Sequence, residues 1–248
     1  MGGIVSPNIV NDGLIFYIDA ANKQSYPGSG TTAYNLMDAN TGTLTNGAGF
    51  SSENKGIFDF DGTDDYIELG DLDLLNFERT DKFSVSAWVN SDSWAQPVGT
   101  YNSIITKLDA MGGSGTRRRG WFFTSIGTST SSSISFELWS ELGSRVGKQS
   151  DYILYTDTWY NLTGTYDGSS DLSGITLYVN GDVLTSTNER FDDLSSTIDS
   201  SGISAQIGDF WDLDRHWNGK IPIVQVHNKE LSASEVLQNY NALKDRYV

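Results

Sequence analysis

The sequence predicts an all-β protein built as a two-sheet antiparallel sandwich with one short helix at its C-terminus. Many short segments alternate apolar and polar residues with a period of two, as strands with one buried face do. Turns rich in Gly, Asn and Asp separate these segments at short intervals. No linker or internal repeat interrupts the pattern. We therefore predict one domain, residues 13–248, preceded by an N-terminal arm, residues 1–12.

The alternation of apolar and polar residues predicts where each strand begins and ends along the chain. Asn180-Gly181 follows one of them and is a strong signal for a two-residue hairpin turn. In the last strand the apolar phase slips between Ile223 and Val224, and Pro222 indicates either an edge strand or a bulge. The predicted strands are 14–19, 58–61, 66–69, 83–89, 103–108, one that opens with 121–123, 134–139, 159–166, 175–179, 205–208 and 220–227.

The predicted helix begins with a capping box. Ser232 is the N-cap, and Glu235 stands three positions later, where its carboxylate can reach back to the N-cap amide. An apolar stripe at helical spacing follows and is predicted to pack on the sheets. Its members are Val236, Tyr240, Leu243 and Tyr247.

Composition sets the first limits on function. The 248 residues are 38% hydrophobic and 12% aromatic, which is enough for a sizeable core, and without cysteine the chain has no disulfide or thiolate metal site. The formal net charge of −16 argues against nucleic acid and anionic membranes as partners, because both repel an acidic surface. A homo-oligomer is compatible with the sequence.

No targeting segment is predicted. The first residues lack the basic and apolar regions of a secretory signal, and no apolar run is long enough to span a membrane. The start fits either a product released by cell lysis or a domain cut from a longer protein.

Three carboxylates stand within five positions at a turn between two predicted strands. Asp61-Gly62 ends the first strand, and Asp64 and Asp65 precede the second. Calcium takes six to eight oxygen ligands, so an acidic turn of this kind is a candidate calcium site. The alternative is that Asp residues occupy the turn for backbone hydrogen bonding alone.

Three consecutive arginines, Arg117 to Arg119, are predicted to end a Gly-rich loop over residues 109–120. On an otherwise acidic chain they could grip an anion. The alternative is a solvated loop whose arginines pair with local acids.

The sequence predicts no enzyme. It lacks a nucleophile elbow, a phosphate-binding loop and a dinucleotide fingerprint. The main rival is a glycoside hydrolase, which would need two carboxylates facing one cleft. Glu137 and Glu141 are the nearest pair, but the strand carrying them is predicted to end soon after.

Aromatic residues in loops favour carbohydrate binding. Trp211 with Asp212 and Asp214 in one loop, and Trp94 and Tyr101 in another region, combine rings with polar acceptors. A sugar presents apolar C–H patches edged by hydroxyls, which suits such a combination. The alternative is that these rings fold back as lids over the ends of the sandwich. Trp217 is predicted to be core.

Several motifs follow one another over nearly the whole chain. They are 13–22, 25–30, Phe60-Asp61-Gly62-Thr63-Asp64-Asp65-Tyr66-Ile67, Ser86-Ala87-Trp88-Val89, 164–168, Leu177-Tyr178-Val179-Asn180-Gly181, 231–235 and 238–242. In this order and spacing they resemble the laminin-G-like (concanavalin A-like) jelly-roll domains. The loop at Ala33 to Asn40 departs from the family pattern, and His227 stands where a tyrosine is usual.

The resemblance implies two antiparallel sheets, adhesion rather than catalysis, and a calcium ion held in part by Asp64 and Asp65. The start and end of the chain resemble the subgroup found in structural proteins of tailed phages and marine viruses. We therefore expect a virion surface protein, a capsid decoration or a tail or fibre adhesin, that contacts other virion proteins and binds polysaccharide or cell-surface glycans. The alternatives are a structural capsid cement that binds only coat protein and, less favoured, the glycoside hydrolase.

Overall fold

The computed structural model describes residues 8–94, 101–111, 117–127, 131–185, 187–210 and 215–248, which form two stacked antiparallel sheets and a C-terminal helix. The predicted fold class is confirmed. No helix within these ranges is both long and apolar enough to cross a membrane. The strands are β1 (Leu14–Asp19), β2 (Thr32–Tyr34), β3 (Thr41–Thr45), β4 (Gly49–Ser51), β5 (Ile57–Asp61), β6 (Tyr66–Gly70), β7 (Phe83–Ser91), β8 (Tyr101–Met111), β9 (Arg117–Gly127), β10 (Ser131–Trp139), β11 (Arg145–Ser150), β12 (Leu154–Tyr155), β13 (Trp159–Tyr166), β14 (Ile175–Val179), β15 (Asp182–Val183), β16 (Thr187–Asp192), β17 (Ala205–Ile207) and β18 (Asn218–His227).

The first sheet has eight strands in the order β15-β14-β13-β7-β18-β5-β4, with β1 also paired to β18. The β14–β15 hairpin turns at Asn180 and Gly181, which both have positive φ (54° and 85°), as the Asn-Gly signal predicts. The sheet is continuous because β7 pairs along its length with β13 and β18.

Strand β18 lies inside this sheet and changes partners along its length. Asn218 to Lys220 pair with β5, whereas residues 223–227 pair with β1. Its register against β7 shifts between Lys220 and Ile223. Pro222 therefore marks an irregularity within a central strand. The bulge alternative for Pro222 is correct and the edge alternative is wrong, since this proline, which cannot donate, sits where the pairing is interrupted.

The second sheet has ten strands in the order β16-β11-β10-β9-β8-β17-β6-β3-β2, with β12 beside β10. Within β10, the side chains of Ile134, Phe136 and Leu138 enter the core between the sheets. Because side chains alternate in a strand, Glu137 and Trp139 lie on the opposite face, which we call the outer face. β9 alternates in the same way.

The core between the sheets is rich in aromatic residues. Phe83 stacks on Phe77 with 4.2 Å between ring centroids and makes edge contacts with Phe136 and Tyr166. Trp217 is completely buried, as predicted for a core residue.

The helix α1 (Ala233–Leu243) begins with the predicted capping box, in which Ser232 and Glu235 exchange hydrogen bonds. Its apolar stripe packs on the first sheet. Tyr240 and Tyr247 stack on the buried Trp88, with ring centroids 5.7 and 4.5 Å away. His227, at the end of β18, is completely buried, and its Nε2 atom lies 3.0 Å from the Val10 carbonyl oxygen. Its role is therefore in packing.

The arginine run does not end a loop as predicted, because β9 already begins at Arg117. Within a strand, neighbouring side chains point to opposite faces. Arg119 forms ion pairs with Asp199 (3.1 Å) and Asp109 (4.0 Å), in agreement with the pairing alternative. Arg118 instead lies over aromatic rings of the outer face.

Candidate functional site

The acidic turn, residues 61–65, joins β5 to β6. The Asp61 carboxylate accepts a hydrogen bond from the Thr63 amide (2.7 Å), and the Asp65 Oδ2 atom accepts one from the Asp61 amide (3.0 Å). These bonds hold Asp61 and Asp65 close together in the turn. One oxygen each of Asp61, Asp64 and Asp65 lies within 4.8 Å of the others. The sequence prediction that these three side chains cluster is thus met by the geometry.

Asp65 is the buried member of the group. Its side chain is only 4% exposed, and its Oδ1 atom has no hydrogen-bond partner among the described residues. Burial raises the pKa of Asp65, and the neighbouring carboxylates of Asp61 and Asp64 raise it further. A buried carboxylate oxygen without a donor is costly, because it has lost its water and gained nothing in return.

A cavity of about 310 Å³ opens beside the acidic turn. Asp59, whose pKa is also raised by burial, and Asp92 contribute carboxylates to its wall. Lys220 pairs with Asp92 at 3.2 Å and is the nearby positive charge within the described chain. Oxygen donors and an unsatisfied buried carboxylate fit a hard divalent cation such as calcium. Asp61, Asp64 and Asp65 are the residues that would hold it.

The aromatic residues predicted to bind sugar are placed differently from one another. Trp94 is completely buried and packs edge-on against Trp217, with centroids 5.6 Å apart. Its ring is therefore not available for stacking on a ligand, which corrects the prediction for this residue and agrees with the lid alternative. Trp211, Asp212 and Asp214 lie outside the described residues.

Tyr101 is half-buried on the outer face of the second sheet. It belongs to a group of rings that continues across three more strands and the segment after β17. Phe122 meets Tyr101 edge to face at 5.8 Å, and Phe210 packs against both rings. Trp139 contacts Phe122 at 6.4 Å and Phe191 at 5.4 Å. These five aromatic side chains form one surface on the side of the sheet that faces away from the core.

Four arginines lie over these rings, and we call the combined surface the arginine face. Arg145 is closest, with its guanidinium carbon 3.3 Å from the Phe191 centroid and 4.4 Å from the Trp139 centroid. Cation–π contacts of this kind fix the plane of the guanidinium over the ring. The others are Arg118 over Trp139 (5.3 Å) and Phe210 (5.6 Å), Arg190 over Phe191 (5.4 Å) and Tyr101 (5.8 Å), and Arg215 over Tyr101 (4.6 Å) and Phe210 (5.3 Å).

Glu137 lies buried beneath the arginine face. Its two oxygens accept hydrogen bonds from Ser135 (2.8 Å) and the Trp139 indole (3.0 Å), and the Arg190 Nε atom is 3.5 Å away. Gly147, directly opposite on β11, leaves the room it occupies, since a Cβ there would lie 2.7 Å from the Glu137 Cγ. A carboxylate held in this way orients Trp139 and Arg190.

Sequence reasoning missed most of the arginine face. Arg145 and the Arg190-Phe191 pair lie in β11 and β16, two strands whose polar composition hides their alternation. The register of β11 against β16 shifts beside Gly147, which brings both Arg190 and Phe191 to the outer face. One usable signal was the alternating run that ends in Glu137 and Trp139.

Comparison with known proteins gives a family and a fold. The family described as the concanavalin A-like lectin/glucanases superfamily (Laminin_G_3) matches residues 61–237. No curated protein matches the sequence.

Solved structures of similar fold cover 92–95% of this chain. They include the binding domain of Paraclostridial Mosquitocidal Protein 1 (TM-score 0.67, 14% identity, 93% of this chain and 52% of that chain). The botulinum neurotoxin serotype G binding domain has a TM-score of 0.65 at 16% identity, over 92% of this chain and 50% of that one. Trypanosoma rangeli sialidase in complex with sialic acid has a TM-score of 0.63 at 10% identity, over 95% of this chain and 34% of that one. The chain thus spans about half the length of the toxin binding domains.

Proposed function

Because the chain belongs to the concanavalin A-like lectin/glucanase superfamily, we propose that it is a non-catalytic glycan-binding module. The observation that carries the proposal is the arginine face, where the half-buried rings of Tyr101, Trp139 and Phe191 line one surface away from the core. Aromatic rings beside hydrogen-bond donors match the apolar patches and hydroxyls of a sugar. The toxin binding domains and the sialidase share its fold and suggest a binding role only by analogy.

Calcium at the acidic turn is the second part of the proposal. The buried Asp65 oxygen without a donor supports it. The ion would neutralise the clustered carboxylates of Asp61, Asp64 and Asp65 and hold the β5–β6 turn in one conformation. Its contribution would be to stability and loop order.

The environment of Glu137 argues against glycoside hydrolysis. A general acid or nucleophile must reach the glycosidic bond, whereas Glu137 is completely buried and bonded to Ser135 and Trp139. Glu141 lies beyond the end of β10, in the turn that follows the strand. We propose that neither residue is catalytic.

A glycan array probed with the full chain, with and without a chelator, tests the binding function. We expect binding to a subset of polysaccharides, and we expect W139A to weaken it while leaving the folded state intact by circular dichroism. Absence of binding to every glycan in both conditions would contradict the proposal and leave the structural cement as the favoured function.

The setting we propose is the surface of a virus particle, as a capsid decoration or as a tail or fibre adhesin. Its support is the resemblance of the first and last segments of the chain to virion structural proteins. Gold-labelled antibody against the chain should mark intact particles in electron micrographs. Antibody labelling confined to particle-free fractions would remove this part of the proposal.

A further inference from the structure

The arginine face concentrates positive charge on an acidic protein. The whole chain has 32 acidic and 16 basic residues, yet four arginines converge on this one surface. Within the described residues, Glu137 is the carboxylate that an ion pair joins to any of them, through Arg190. Among the described residues, four guanidinium charges and this one ion-paired carboxylate leave an excess of three positive charges. A face that served only to hold the sheet together would be expected to balance its charges.

The guanidinium groups are held in place by the rings, but not all of their N–H donors make a hydrogen bond. The Arg118 Nε and Arg215 Nη1 atoms are buried from solvent, and neither has a hydrogen-bond partner among the described residues. The rings below contact these two guanidinium groups and do not serve as conventional hydrogen-bond acceptors for the two nitrogen atoms. Burial and the nearby Arg118 charge lower the pKa of Arg215, as expected where like charges crowd.

Glu137 preorganises this arrangement and does not neutralise it. Its oxygens lie against Ser135, Trp139 and Arg190. Among the described residues it forms no ion pair with Arg118, Arg145 or Arg215, although its charge partly offsets the effect of Arg118 on Arg215. Planar guanidinium groups recognise carboxylate and sulfate oxygens through paired N–H donors. The arginine face is therefore suited to a ligand that carries an oxyanion next to a flat apolar surface of its own.

We infer that the arginine face binds an acidic polysaccharide, one whose sugar rings carry carboxylate or sulfate groups. This inference rests on the proposed glycan-binding function and narrows its ligand class. The oxyanion is held by Arg118 and Arg215, and the sugar ring packs on Tyr101 and Trp139. A nucleic acid also combines negative charge with flat rings, but its dense phosphates would be repelled by a protein of net charge −16.

The inference is tested by titration calorimetry of the full chain against paired polymers that differ only in charge. The pairs are polygalacturonate with its methyl ester, and dextran sulfate with dextran. We expect at least tenfold tighter binding to an acidic member than to its neutral partner. The variant R118Q/R215Q should lose at least tenfold in affinity for that polymer. R119Q is the matched control, because Arg119 lies in the same strand but pairs with Asp199, and it should bind within twofold of the wild type.

Each outcome decides between the two proposals. Binding of neutral and acidic polymers with equal affinity keeps the glycan function and overturns the acidic ligand, as does unchanged binding by R118Q/R215Q. No binding to any polymer contradicts both. Tighter binding to a single-stranded oligonucleotide of equal charge would overturn the glycan as ligand. If R118Q/R215Q fails to fold by circular dichroism, the single variant R118Q carries the same prediction, since Arg118 is only half-buried.

Discussion

The acidic turn and the arginine face are two charged regions within the described part of the chain, and they are built in opposite ways. The turn gathers its carboxylates from five consecutive positions and leaves the buried Asp65 oxygen without a donor. The arginine face draws side chains from five strands and from the segment that follows β17, and each guanidinium lies over aromatic rings. Local chain geometry can assemble a cation site, whereas a broad anion-binding surface needs a sheet to bring distant residues together.

Among the variants considered, replacing the buried carboxylate of Glu137 should lower the free energy of unfolding the most. E137A leaves Arg190 without its charge partner and opens a cavity, so we expect a loss of about 3–5 kcal/mol in the free energy of unfolding. Denaturant titration measures it. E141Q, in the turn after β10, is the control and should be close to the wild type. A loss below 1 kcal/mol for E137A would mean that Glu137 does not organise this face.

Calcium should stabilise the acidic turn by a smaller amount. At a concentration one hundred times its Kd, a bound ligand adds about 2.7 kcal/mol, which for a domain of this size is a Tm increase of roughly 5–10 °C. Thermal melts with calcium and with chelator should show this difference in the wild type, and D65A should abolish it. D182N, at an exposed strand position, should retain it. Identical wild-type melts in both conditions would argue against the site.

Without calcium, the acidic turn should make stability depend on pH. The pKa of Asp65 is raised in the folded state above its usual 3.8, so the folded chain binds the proton more tightly than the unfolded chain. Stability is therefore highest below that value and falls as pH rises through the folded-state pKa. D65N should remove part of this fall in chelator, measured by denaturant titration at several pH values. The pKa of Asp59 is also raised, so Asp59 adds to the same fall in stability. D65N should therefore remove only part of that fall.

The smallest effect should come from Arg119, on the other side of β9 from the arginine face. Its ion pair with Asp199 is partly exposed, and such pairs contribute about 1 kcal/mol or less. R119Q should lower the free energy of unfolding by no more than that, and added salt should shrink the difference. A larger loss would show that the two sides of β9 are coupled.

Most of the fold was predictable because it is encoded in short segments. The strands at 14–19, 159–166 and 175–179 have the predicted bounds, and the Ser232 capping box starts the helix. β11 and β16 were not predicted, since they have few apolar residues and are recognisable as strands mainly through their partners. The strands β2, β3, β4, β12 and β15, each of two to five residues, were not predicted either. The same difficulty explains Trp94, whose burial depends on the distant Trp217.

The sequence by itself determined the alternation that makes two sheets, the turns between strands, the helix cap and the clustering of Asp61, Asp64 and Asp65. Each of these depends on residues a few positions apart, whose geometry the backbone fixes locally. Tertiary structure alone decided that Arg119 pairs with acids while Arg118 joins Arg145, Arg190 and Arg215 over aromatic rings. That choice depends on strand order and register, which arise from pairing between segments far apart in the chain.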